Sequence, residues 1–128
     1  MNADDIDQMT VEQLCGAVYA EVLGEAKPRL PGNHTSPGGN WKSIWNHERQ
    51  GYEVKAVPPS GNQMLRVVRA MAERGWIWRM GTHPFSKSEH RVNVWCYRAD
   101  SHVAVCDWAD TLEVATFRAA LKAIKGCQ

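Results

Sequence analysis

Six residues of the right types for acid–base or nucleophilic work crowd one polar stretch: His83, Ser86, Ser88, Glu89, His90 and, slightly further on, Asp100. A hydrolase would need a nucleophile, a base and an orienting group among them, held within hydrogen-bond reach. No nucleophile elbow, HExxH or paired-carboxylate signature accompanies these residues. The stretch reads as a solvated loop, and the chain is expected not to be an enzyme. The histidines fail as metal ligands on the same ground. Neither His83 and His90 nor His34 and His47 lie one helical turn apart, so no metal and no cofactor are expected. Cys15, Cys96, Cys106 and Cys127 share no CxxC spacing and lack zinc-finger intervals to histidine. The first three sit in apolar runs, which predicts buried free thiols.

Binding chemistry is better represented. Residues 29–42 combine Pro31, Gly32, Pro37, Gly38 and Gly39 with the donors Thr35, Ser36 and Asn40. Glycine lets backbone amides approach a phosphate, Arg29 and Lys42 add charge, and Trp41 has a ring on which a base could stack. The stretch has no Walker lysine and does not follow a predicted strand, so a plain connector competes with an anion-contacting loop. Arg66 and Arg69 lie three apart on a predicted helix, outside its apolar stripe. With Trp41 or Trp45 packed nearby they would form a cradle for a phosphate-bearing ligand. The candidate ligand-binding residues are therefore Arg29, Trp41, Lys42, Trp45, Arg66 and Arg69. Trp76, Trp78, Trp95 and Trp108 fall on or beside strands, where core packing is the default. Indole N–H groups are costly to bury unpaired, so at least one of these rings is expected on a partner or dimer surface.

The elements that must position these groups follow from periodicity and punctuation. Thr10 and Gln13 make a capping box, after which Val11, Leu14, Cys15, Val18 and Val22 recur at helical spacing up to Gly24. That predicts an N-terminal helix over 10–24. Residues 25–59 carry repeated Pro and Gly and read as one long loop, pinned by Trp41, Ile44 and Trp45, with Tyr52-Glu53-Val54 as a candidate short edge strand. From 60 to 126 the order is helix, three strands, helix. Ser60 opens the first helix, with Met64, Val67, Val68 and Met71 as its stripe. The strands are Trp76–Met80, Arg91–Arg98 and His102–Trp108, and alternation along the second puts Val92, Val94 and Cys96 on one side, Asn93, Trp95 and Tyr97 on the other. Asp110 or Thr111 caps the last helix, whose buried stripe is Val114, Phe117, Leu121 and Ile124. The fold class is α+β: a three-stranded antiparallel meander sheet packed against helices, in the order α-loop-α-β-β-β-α, with helices on one or both faces.

Length and composition agree with a single domain over 1–128. The 128 residues are 44% hydrophobic, enough for a core without a staple. A net charge of +1, from 15 basic and 14 acidic residues, removes the broad basic excess of a dedicated duplex binder. Asp4, Asp5 and Asp7 stand where a signal peptide would be basic and then apolar, and no apolar run approaches the ~20 residues of a membrane span. A reduced, cytoplasmic protein with no membrane partner is expected.

The stretch from Val57 to Gly126 resembles the small phage accessory proteins of the phage α–β–α (ABA) sandwich domain type, with NinX-like proteins as more distant relatives. The matching features are Pro58-Pro59-Ser60, Val67-Val68, Met71, Gly75-Trp76, the mid-strand Trp95, Asp110-Thr111-Leu112, Ala115, and Phe117-Arg118-Ala119-Ala120-Leu121. A helix ending near Val22-Leu23-Gly24 is also similar. The resemblance carries over no catalytic residues. It implies an accessory protein in a host cytoplasm that binds and blocks a host protein or sequesters a small nucleotide-like ligand of anti-phage defence. Two alternatives are kept. One is a nucleic-acid module, disfavoured because the last helix begins with acidic Asp110 and Glu113 where a double-stranded-RNA-binding domain carries lysines. The other is a homo-oligomer paired through strand 76–80 or exposed tryptophans.

Overall fold

Local capping chemistry sets the first two helices. In the computed structural model, which describes residues 2–82 and 92–126, α1 (Ala3–Asp7) is closed by reciprocal bonds between Asn2 and Asp5, each 2.9 Å. Asp4 and Asp5 suit the positive end of a helix, and Ile6 is fully buried. This helix is missed by a sequence reading that takes the acidic tract only as charge. α2 (Val11–Glu21) carries the full Thr10–Gln13 capping box, with bonds of 3.0 and 3.1 Å. It ends earlier than Gly24, which adopts φ +71° beyond the C-cap Val22, a conformation that favours glycine.

The expected loop over 25–59 is corrected. Its irregular parts are 25–40 and 57–59. β1 (Trp41–Asn46) and β2 (Gly51–Ala56) pair antiparallel from Trp41↔Ala56 to Asn46↔Gly51, so the strand suspected at Tyr52–Val54 is half of a hairpin. Its turn is set by Asn46, whose side chain accepts from the backbone N–H of Glu48 and Arg49 at 3.0 and 3.1 Å, and by Gln50 at φ 52°. The alternation is hard to read in sequence because the inward positions of β1 are Trp41 and Ser43, one apolar and one polar.

The C-terminal half follows the predicted order. α3 (Gly61–Glu73) starts at Ser60, which accepts from Gln63 N–H at 3.5 Å. β3 (Trp76–Thr82), β4 (Val92–Arg98) and β5 (Ala104–Ala109) form an antiparallel meander of order β3-β4-β5. α4 (Leu112–Ile124) is capped by Thr111, not Asp110, through Val114 N–H at 3.3 Å. The fold is thus α+β, with a three-stranded antiparallel sheet, a two-stranded hairpin and four helices among the described residues.

One apolar cluster joins these parts. Contacts run from β2 to α2, from α2 to α4, and from α4 to β4 and β5, while α3 meets β3. Tyr19 is at the junction: its ring packs edge-on against Trp41 (centroids 6.1 Å) and Phe117 (5.7 Å), and its hydroxyl donates to Val57 O at 2.7 Å. The sheet contributes Trp76, Val94, Cys96, Val105 and Ala109 to this core, all from one face. The opposite face carries Ile77, Arg79, Asn93, Trp95, Tyr97, Ala104, Cys106 and Trp108. Helices on both faces are therefore not observed: among the described residues, all helical packing is on the inner face. Two short helical stripes, α3 and α4, are satisfied by one side of a sheet this narrow, and among the described residues no helix covers the other.

Candidate functional site

The six residues proposed from sequence do not converge. Trp41 is buried at 6% exposure and donates its indole N–H to Glu25 O at 2.8 Å. Its ring lies so close to α2 that a Cβ on Gly16 would sit 3.2 Å from Cη2. Arg66 is equally committed. It pairs with the Glu25 carboxylate and donates to Gly38 O (2.8 Å) and Asn40 Oδ1 (3.2 Å). Asn40, fully buried, donates in turn to Glu25. The cradle imagined around Arg66 is therefore occupied by the chain's own Glu25, and the Gly/Pro arm is tied down by it. A Cβ at position 38 would collide with the Glu25 carboxylate, so a side chain there would have to displace it from Arg66. Trp45 sits on the hairpin, 41% exposed, edge-on to Tyr52 (5.1 Å) and His47 (6.3 Å). Lys42 is partly buried on β1, and Arg29 and Arg69 are exposed elsewhere on the surface.

Of the acid–base candidates, His83, Ser86, Ser88, Glu89 and His90 lie outside the described residues. Asp100 accepts from Arg98 Nε at 3.1 Å, and this bond holds its carboxyl below the ordinary range. Among the described residues, no three His, Cys, Asp or Glu side chains converge on a common point, and no helix is long and apolar enough to cross a membrane. Lys122 and Asp107 form a buried ion pair (2.6 Å) beside Asp7 (2.7 Å to the same Nζ). Burial pulls the Lys122 ammonium down, but the two carboxylates more than offset it and its pKa is raised. A lysine held in its charged form is a structural cation, not a nucleophile.

The outer sheet face is different. Trp95, in the middle of the central strand, is 50% exposed, and Ile77 and Trp108 are 41% and 40% exposed. Large aromatic side chains there gain nothing from the core. Trp95 is also tethered. With its amide nitrogen toward Gly81 O (3.2 Å), the buried Asn93 accepts from Trp95 Nε1 at 2.6 Å. The polar edge of the indole is satisfied within the protein, while half of its surface meets solvent. Arg79, the direct cross-strand neighbour of Trp95, extends over the Tyr97 ring at 6.0 Å from the centroid.

Two hollows open on either side of the Arg79–Trp95 pair. One, of about 400 Å³, is lined by both residues together with Tyr97, His102 and Ala104; the other, of about 230 Å³, by both together with Met80, Gly81 and Asn93. No described outward residue of β3, β4 or β5 is acidic, and among the described residues Arg79 has no carboxylate partner. No family model, curated protein or solved structure matches the chain.

This surface was half-legible in the sequence. Alternation along β4 separates Asn93, Trp95 and Tyr97 from Val94 and Cys96, and the tryptophan count points to an exposed ring. Arg79 and the Asn93 tether carry no sequence signal, because each matters only through a neighbour on another strand or a turn away.

Proposed function

We propose that this chain is a non-catalytic binding protein whose recognition surface is the outer face of the β3–β4–β5 sheet, and that its ligand is nucleotide-like. The observation that carries the reading is Trp95: half exposed at the centre of the sheet, its N–H held by Asn93, beside an arginine on a face whose described outward residues include no carboxylate. A ring fixed in this way offers its surface for stacking at little entropic cost, and Arg79 supplies the charge complementary to a phosphate. The resemblance to phage accessory proteins supports a biological role in which the chain sequesters such a ligand, or blocks a host factor, in the host cytoplasm.

Isothermal titration against nucleotides and short single-stranded oligonucleotides tests the proposal. Trp95→Ala is expected to weaken binding about 5- to 150-fold, the range for losing one base–aromatic stack of ~1–3 kcal/mol. Unchanged affinity in Trp95→Ala, or no heat with any nucleotide, would sink it. Arg66→Ala, by contrast, should act on stability before it acts on binding.

A nucleic-acid module is the second reading. An open antiparallel face with aromatic rings and a cation is the kind of platform on which single strands stack. Duplex recognition is not favoured, since the chain is near neutral.

A further inference from the structure

The paired hollows carry the reading of the sheet face one step further. We infer that the site takes two bases and the phosphodiester between them, one base in each hollow, with Arg79 on the linking phosphate. This rests on the nucleotide reading above and specifies its ligand.

Three observations support it. The hollows share only Arg79 and Trp95 and are otherwise lined by different residues, so they are two places divided by one cross-strand pair, not one basin. They flank residue 95 along β4, next to Asn93 on one side and Tyr97 on the other. Asn93 and Tyr97 are four residues apart on the strand, roughly 13 Å, so the two bases would be splayed to either side of the Trp95 ring instead of stacking on each other. Finally, Arg79 lines both hollows. A ligand with one base and a terminal phosphate would fill one hollow and leave the other wet. A ligand with two bases places its negative charge where Arg79 is.

The hollows differ in character, which gives the two bases different surroundings. The larger has Tyr97, over which Arg79 extends, and His102. The smaller has the Gly81 and Asn93 edge. The shared chemistry, two bases on one phosphodiester, occurs both in free dinucleotides and within a single strand of RNA or DNA.

The test is a length series of oligoadenylates from one to six nucleotides, titrated calorimetrically into the full chain. Adenosine monophosphate already has a base and a phosphate, so the step from one to two nucleotides reports the second hollow. We expect affinity to rise roughly tenfold or more at that step. A plateau from two onward would identify a free dinucleotide as sufficient; a further rise with length would identify a strand as the source, and both outcomes support the two-base site. Arg79→Gln is expected to remove most of the gain at the second nucleotide while uncharged adenosine binds as before. Equal affinity for one and two nucleotides would overturn the inference and leave the single-base reading standing. If no member of the series binds, the nucleotide reading itself fails.

Discussion

Three described cysteines illustrate how position decides chemistry at the scale of one residue. Cys15 and Cys96 are fully buried, and burial pushes their thiols up to about 11 and about 12. The thiolate is the reactive form, so both should be inert at neutral pH. Cys106 is exposed on the outer sheet face, with its thiol raised chiefly by its partial burial. Site-resolved alkylation read by mass spectrometry at pH 8 should therefore modify Cys106 slowly and leave Cys15 and Cys96 untouched until denaturant is added. Labelling of Cys96 in the native protein would contradict the packing of β4 against α4. The expectation of buried thiols holds for two of these three. Sequence could not separate the third, since Cys106 sits in an apolar run whose alternate residues point outward.

Two elements carry charge pairs whose titration can be followed. On the hairpin, Asn46 donates to Glu53 Oε2 at 2.6 Å, and Lys55 lies 3.4 Å from the other oxygen. The Asn46 bond, then Lys55, holds the Glu53 carboxyl below its ordinary 4.5. A depressed carboxylate stabilises the fold above its unfolded pKa and loses that contribution as pH falls through the folded value. The thermal midpoint should therefore drop on acidification below about pH 4.5, and Glu53→Gln should flatten that part of the curve. At the other end, α1 is held through Asp7 to Lys122 on α4. Lys122 is raised above its ordinary 10.5, so its contribution is complete at neutral pH and is lost only as pH climbs past that value. Lys122→Met should cost about 3 kcal/mol in urea unfolding at pH 7, because Asp107 is left buried without its cation. A loss within 0.5 kcal/mol would show that water reaches Asp107 and that the pair matters little.

Over the whole molecule, two tryptophans that look alike in sequence should part company. Trp41 joins the hairpin to α2 and Tyr19, and Trp41→Ala should destabilise the protein by about 3–5 kcal/mol, as for other core aromatics. Trp95→Ala removes a half-exposed ring from a face with no layer above it among the described residues. Its cost should stay near 1 kcal/mol, with the effect appearing in binding. Chemical denaturation of both variants, set beside their nucleotide titrations, separates the structural ring from the recognition ring. The reverse ordering would mean that the outer face is covered in solution, for instance by a second copy of the chain.

What the sequence determined by itself is whatever depends on near neighbours. Capping pairs, helical stripes and strand alternation fixed α2, α3, α4 and the three-stranded meander, because each is decided within a few residues by backbone hydrogen bonding and side-chain period. The hairpin escaped because one inward position of β1 is Ser43, which blurs the alternation. Tertiary structure alone decided which charged and aromatic groups are available. Arg66 and Trp41 have the chemistry of a binding site, yet Glu25, some 41 residues from Arg66 in the chain, neutralises one and holds the other. Arg79 and Trp95 become the proposed site because antiparallel pairing sets them side by side on a face that no described helix covers. Free groups and satisfied groups have the same letters; only the packing of distant segments tells them apart.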